Sequence, residues 1–387
     1  MAIPLAAQAH RSLMNGLRPA CDSPRACGWV GVHLLFVLLL ASCAGPGSRQ
    51  APNPADVRAA IESALPGVSD RTGWTADIAD AFTELNLPPT RENACAVVAV
   101  IEQESGFHVD TAVPGLGKLS LHTIDARAAH AGVPLAIVHA ALDLKSSTGR
   151  TYRERIRAAR TEKQLSDVYE DFIGRVPLGR TIFASWNPIR TRGPMQVNVA
   201  FAERFEAIKP YPDHDPRRDL RDELFTRRAS IYFGVAHLLD YQAPYGRYLY
   251  RFADYNAGQY ASRNAAFQRA ASLVAGMPLT ADGALLANDT SAKGAGSTER
   301  VLRAIAGRLR LSDAAIHTAL TEGTAQSFEQ TPLYHRVFAL ADRKRGSRLP
   351  RAALPQIRLE GPKIERSLTT DWYARRVNGR FDRCVRA

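Results

Sequence analysis

Glu104 is the residue best placed for proton chemistry. It lies in the run Ile101-Glu102-Gln103-Glu104-Ser105-Gly106-Phe107. Upstream, Ala94, Val97, Val98 and Ile101 recur at the i, i+3, i+4 spacing of a buried helix face. Glu104 falls three residues past Ile101, on the same stripe. A carboxylate at the end of a buried helix face is costly to ionise, so it keeps its proton to higher pH, as a general acid must. Glu102 sits two residues earlier and faces about 200° away around the helix. It is read as solvated or as part of a surface ion pair. Two further runs stand far downstream: Gly193-Pro194-Met195-Gln196-Val197-Asn198 and Tyr255-Asn256-Ala257-Gly258.

In this order the three runs resemble the signature motifs of the lysozyme-like lytic transglycosylases and goose-type lysozymes. The likeness covers the motifs and their flanking helices. Across the chain, the sequence also looks like bacterial lipoproteins that carry such a domain. The resemblance implies cleavage of the β-1,4 bond between N-acetylmuramic acid and N-acetylglucosamine, with Glu104 as the catalytic acid. It implies substrate contacts from Ser105, Met195, Gln196, Tyr255 and Asn256. Ser105 could equally be a helix-end cap, and a lone Met195 is more often core. Pro194 stands where the family has Leu, which stiffens the turn. Most glycosidases use two carboxylates. Lytic transglycosylases use one, which first protonates the leaving oxygen and then deprotonates the muramyl C6 hydroxyl. Neither of the other two runs contains an acid, although Asp254 directly precedes Tyr255. The alternatives are a lysozyme-type hydrolase, or a non-catalytic glycan-binding or envelope-assembly lipoprotein on the same fold.

The chain of 387 residues carries a formal net charge of +12, with 50 Lys and Arg against 38 Asp and Glu. Such a basic surface favours anionic partners. No helix-turn-helix, zinc-finger or RNA-binding signature is present, so nucleic acid is not expected. Peptidoglycan strands, whose peptides carry carboxylates, fit the charge. His108, His122, His130, His139 and His214 share no metal-ligand spacing, and neither a metal nor another cofactor is expected.

Residues 1–42 read as a signal peptide. Arg11, Arg18 and Arg25 form a basic region, and Gly31 to Leu40 is an apolar run too short for a stable span. Leu40-Ala41-Ser42-Cys43 resembles a bacterial lipobox, which implies lipidation at Cys43. Ala44, which is not Asp, then implies anchoring at the periplasmic face of the outer membrane. Residues 43–54 form a flexible tether. Cys95 and Cys384 remain in the mature chain. An oxidising compartment invites a disulfide between them, with two buried free thiols as the alternative.

Helical periodicity dominates the rest, and almost no strand pattern is visible beyond small strands near the second run. The expected fold is mainly α: a lysozyme-like domain over 55–275, a helical insertion at about 109–192, and a helical C-terminal extension over 276–387. Insertion helices are expected near 121–131, 134–144, 151–160 and 162–174. Asp167, Glu170 and Asp171 lie there and could reach the cleft, although a solvated face is the plainer role. One helix is expected over 219–241, and a short one near 370–377.

Overall fold

The computed structural model describes residues 58, 61, 62, 67–175, 187, 189–286, 296–359 and 368–387. The expected signal segment, Cys43, the tether and part of the 276–296 segment lie outside them. The described fold is mainly α. No helix among these residues is long and apolar enough to cross a membrane.

Helices α1 (Arg71–Glu84) and α2 (Arg91–Glu104) open the fold. Thr90 caps α2, its side chain accepting from the Asn93 amide, an arrangement worth about 1 kcal/mol. Every residue of α2 from Ala94 to Ile101 is buried. The apolar stripe seen in the sequence is thus the readable part of a helix buried nearly all round.

The insertion follows: α3 (Leu116–His130), α4 (Leu135–Leu142), α5 (Tyr152–Ala158) and α6 (Glu162–Gly174). Its own small core joins Leu116, Leu142, Tyr152, Ile156, Leu165 and Val168 to Phe225. It begins and returns at one place. Ala112 bridges Thr161 antiparallel, and the Val113 amide donates to the Arg160 carbonyl at 2.8 Å. This closure brings the start of α6 back beside the segment that leaves α2.

Strands β1 (Thr191–Arg192) and β2 (Val197–Asn198) pair antiparallel, and the Gly193–Gln196 run is their turn. Next come α7 (Val199–Glu206), α8 (Leu220–Glu223) and α9 (Arg227–Leu239). The single helix expected over 219–241 is therefore broken. The Thr226 side chain accepts from the Ala229 amide and starts a new helix at Arg227; such a hydroxyl competes for backbone donors and favours a cap. Helices α10 (Tyr248–Ala257) and α11 (Ala261–Ala275) follow, then α12 (Ser297–Ala304), α13 (Ala306–Leu309), α14 (Asp313–Thr321) and α15 (Pro332–Arg345).

The last helix, α16 (Thr370–Arg386), runs well past the expected stop at 377. Gly379 and five arginines hide its apolar face, yet Tyr373, Ala374, Val377 and Cys384 are buried. Packing does not follow chain order. The main core unites α1, α2, α9 and α10 with Tyr373, Ala374 and Val377 of α16. A second core joins α11 to the helices after residue 296. Cys95 and Cys384 are disulfide-bonded, with Cα atoms 5.5 Å apart. The two lie 289 residues apart in sequence. Closing so long a loop stabilises the fold by on the order of 5 kcal/mol in the chain-entropy account.

Candidate active site

Helix α2 ends abruptly after Glu104. The Ser105 and Gly106 amides both donate back to the Ile101 carbonyl. Gly106 and Phe107 then adopt positive φ of 57° and 65°. The Phe107 ring is driven edge-on against Trp74, centroids 5.3 Å apart. Left-handed backbone at a bulky residue is strained and persists only where its surroundings over-determine it. Here that packing fixes the last turn that carries Glu104.

Glu104 retains some solvent contact, yet its carboxyl is densely surrounded. The Tyr373 hydroxyl, from the first turn of α16, donates to Glu104 Oε1 at 2.5 Å. Burial pushes the Glu104 carboxyl up to about 7; the Tyr373 hydrogen bond opposes that rise, and the negative charge of Glu162 adds to it. Tyr255 is buried within reach of the same charge, and its hydroxyl is pushed up by burial and by Glu104. That hydroxyl donates to the Met195 carbonyl at 2.6 Å. Behind it lies His237, ring centroids 4.9 Å apart. Burial lowers the His237 imidazole to about 4, so it is neutral at physiological pH.

The turn between β1 and β2 is shaped by what it must avoid. Gly193 has φ 71°, and a Cβ there would meet the Leu224 carbonyl at 2.2 Å. A Cβ at Gly234 on α9 would lie 2.4 Å from Met195 Sδ. The Met195 side chain is accordingly buried in the main core, and the residue reaches the site through its carbonyl. Gln196 takes φ 50°. Its Oε1 accepts from the Thr191 hydroxyl at 2.8 Å, and its Nε2 donates to Glu162 Oε2 at 3.2 Å and to the Gly193 carbonyl at 3.3 Å. Arg192 is buried beneath, donating to the Arg221 carbonyl and lying over the Phe225 ring.

Glu104, Tyr255, the Met195 carbonyl and Gln196 are thus joined through direct bonds or close charges. Two other expected contacts are turned elsewhere. The Ser105 hydroxyl donates to the Ile101 carbonyl at 3.2 Å, within its own helix. Asn256 is exposed, and its Oδ1 accepts from Thr370 at 2.7 Å. Glu102 meets Arg380 and Arg383 of α16 at 3.1 and 3.5 Å. The three insertion acids are in structural pairs: Asp167 with Lys163, Glu170 with Asn187, and Asp171 with Arg155. Asp254 is engaged at the start of α11, where it accepts from the Tyr260 and Ser262 amides and the Tyr241 hydroxyl. Among the described residues no group of three or more His, Cys, Asp or Glu could hold a metal.

Two site residues had no place in the sequence reading. Tyr373 was hidden because the final helix carries few apolar residues. The cysteines held the clue: Glu104 lies nine residues after Cys95, and Tyr373 lies eleven before Cys384. A disulfide between antiparallel helices, which rise about 1.5 Å per residue, brings those two positions level. Glu162 carries a weaker sequence signal than the acids deeper in α6. The helix-start pattern Thr161-Glu162 was its only local signal.

Residues 67–387 match a family described as "Protein of unknown function (DUF1615)". An Escherichia coli K12 protein, "Uncharacterized protein YaiW", is 47% identical over 363 residues, spanning 92% of this chain and 97% of the relative. No solved structure matches. The chain belongs to the DUF1615 family.

Proposed function

We propose that this DUF1615 member is a lysozyme-like enzyme that cleaves peptidoglycan glycan strands, with Glu104 as the general acid. One observation carries the reading. Tyr255 of the third motif lies within reach of the Glu104 charge and donates to the Met195 carbonyl of the second, so residues of three distant motifs adjoin one carboxyl pushed up to about 7. A group with that affinity holds a proton at neutral pH and can still release it.

In this reading Glu104 protonates the glycosidic oxygen as the bond from C1 breaks. Tyr373 engages Oε1, which leaves Oε2 to exchange the proton. The hydrogen bond from Tyr373 then stabilises the carboxylate that forms. That carboxylate takes the proton of the muramyl C6 hydroxyl, whose oxygen bonds to C1 and gives a 1,6-anhydro end. The protein is a lytic transglycosylase on this account. Lipid on Cys43 would hold it at the periplasmic face of the outer membrane, where its substrate lies; the support is the Leu40-Ala41-Ser42-Cys43 sequence.

The proximity of Glu162 favours a second reading, lysozyme-type hydrolysis, in which a second carboxylate draws a proton from attacking water. The test is to incubate the full chain in detergent with purified sacculi and weigh the released muropeptides. Anhydromuramyl ends support the transglycosylase, reducing muramyl ends support the hydrolase, and no release under any condition removes both.

A further inference from the structure

One end of the insertion leaves apolar surface bare. Helices α3 and α4 are joined by the turn Ala131-Gly132-Val133-Pro134, where the Val133 amide donates back to the Ala128 carbonyl at 2.8 Å. Helix α4 reads Leu135-Ala136-Ile137-Val138-His139-Ala140-Ala141-Leu142, yet only Leu142 is buried. Leu142 and Val138 pack on the small core of the insertion. The rest is open. Val133 is 40% exposed, Leu135 41%, Ile137 62% and, just past the helix, Leu144 58%. Among the described residues, four of the eight exposed large apolar side chains lie between Val133 and Leu144. They are clustered, not scattered, and a clustered apolar patch marks a contact surface.

Charge says what covers it. From Ala126 to Leu142 the chain has no Asp or Glu, while it carries Arg127, His130 and His139. The acids bordering this run are already paired, Asp125 with His139 at 3.0 Å and Asp143 with Arg153 at 2.6 Å. Arg127 before the patch and Lys145 after it are exposed. An aliphatic face bordered by cations is complementary to an anionic lipid surface, whose acyl region takes the side chains and whose headgroups take the charges. A protein partner is a poorer match, because such interfaces draw on aromatic residues and Met, and Val133, Leu135, Ile137 and Leu144 are neither. At 1.5 Å per residue α4 is about 12 Å long, so it can lie in a bilayer interface but not cross. We propose that the α3–α4 tip is a membrane contact, with Leu135, Ile137 and Leu144 entering the surface of an anionic phospholipid bilayer and Arg127 and Lys145 meeting its headgroups. The proposal is independent of the reading of Glu104. Short of a spanning helix, stable attachment takes two weak signals acting together; the tip is the one built into the fold.

The experiment puts a polarity-sensitive fluorophore on the full chain at Ile137→Cys, with Thr318→Cys on the exposed side of α14 as control. Both carry Cys21→Ser, Cys27→Ser and Cys43→Ser, so that only the new thiol is labelled and the N-terminal segment is the same in each. Vesicles of phosphatidylglycerol and phosphatidylethanolamine, doped with a spin-labelled lipid, supply the surface and the quencher. Emission from position 137 should shift to the blue and be quenched, while position 318 stays as in water. Adding Arg127→Gln and Lys145→Gln should lower the ratio of buried to free label by about twenty-five-fold, since each cation near an anionic leaflet contributes a factor of about five. Circular dichroism of each variant checks that the fold is kept. A label at 137 that stays unquenched on these vesicles overturns the proposal, as does quenching that the double change leaves intact. A blue shift without lipid that grows with protein concentration assigns the patch to a second copy of the chain, and one produced by sacculi but not by vesicles assigns it to glycan; either result also overturns it.

Discussion

Two buried carboxyl groups in this chain have nearly the same proton affinity and opposite surroundings. Glu104, at the end of α2, and Asp254, in α10, are each raised to about 7, burial being the largest cause in both. Asp254 has no solvent contact, and three donors close on it: the Tyr260 and Ser262 amides and the Tyr241 hydroxyl. It holds the start of α11 against the end of α10. Among the described residues Glu104 accepts from one donor, Tyr373, and the residue is only half-buried. A raised carboxyl is therefore not in itself a mark of chemistry. What separates the two is whether an oxygen remains for a visitor. A carboxyl saturated by its own fold is structural; one held by a single donor on a half-buried residue keeps an oxygen that can exchange a proton.

The sharpest break of this comparison is a crossed pair of isosteric variants. Glu104→Gln should lower release of muropeptides by at least about a hundredfold, the usual contribution of general acid catalysis. It should leave the fold intact. Glu104 is raised above its ordinary 4.5, so the folded state binds its proton more tightly than the unfolded state does. Stability from this group is fully present below about 4.5, is lost as pH rises towards about 7, and is level above that. The Gln variant should lack that slope in a urea-unfolding series. Asp254→Asn puts an amide NH₂ among donors. It should cost about 2–3 kcal/mol of stability, as expected when buried donors lose their acceptor. Variants that trade these roles, with Asp254→Asn abolishing turnover in a fully stable protein, would mean that the acid has been misassigned.

A smaller effect tests the single donor on Glu104. Tyr373 donates to the carboxyl and so favours its charged form. Tyr373→Phe removes that help, and the Glu104 proton is then held to higher pH. The alkaline limb of the rate profile should move up, while the maximal rate drops by less than about tenfold as the carboxyl loses its anchor. A limb that stays in place, or a loss equal at every pH, would show that Tyr373 acts by holding the fold and not through the Glu104 charge.

The helical character, the buried stripe of α2 and the placement of Glu104 were legible because each rests on local spacing. The insertion helices were legible for the same reason; 162–174 was expected and is the observed span of α6. What escaped was whatever needed two distant segments at once. Tyr373 contributes through a helix paired with α2 across the whole chain. Glu162 contributes through a bridge that closes the insertion. The role of Met195 also changed on folding: its side chain looks like a substrate contact in the motif, yet Gly234 leaves room for it in the core and its carbonyl serves the site instead. The break at Thr226 is not legible in the sequence because the apolar periodicity of 219–241 continues across a residue whose hydroxyl prefers to cap.

The smallest effect concerns Glu102, which sharpens the comparison within a single helix. It shares α2 with Glu104 and lies only two residues away, yet it faces the surface and meets Arg380 and Arg383. Both acids touch α16, so a general need for contact between the two helices would make them equally sensitive. Their environments say otherwise. The Glu102 side chain is 41% exposed, between Arg380 at 16% and Arg383 at 62%. Pairs that open to water contribute about 0–1 kcal/mol because solvent already stabilises both charges. Glu102→Gln should therefore keep at least about half of wild-type turnover. Its rate profile should superpose on that of wild type. Salt should matter more than the mutation, since the remaining exposed charges are screened within about 10 Å at 0.1 M. A Glu102→Gln variant as inactive as Glu104→Gln would refute the claim that facing and burial, rather than membership of the helix, select the acid.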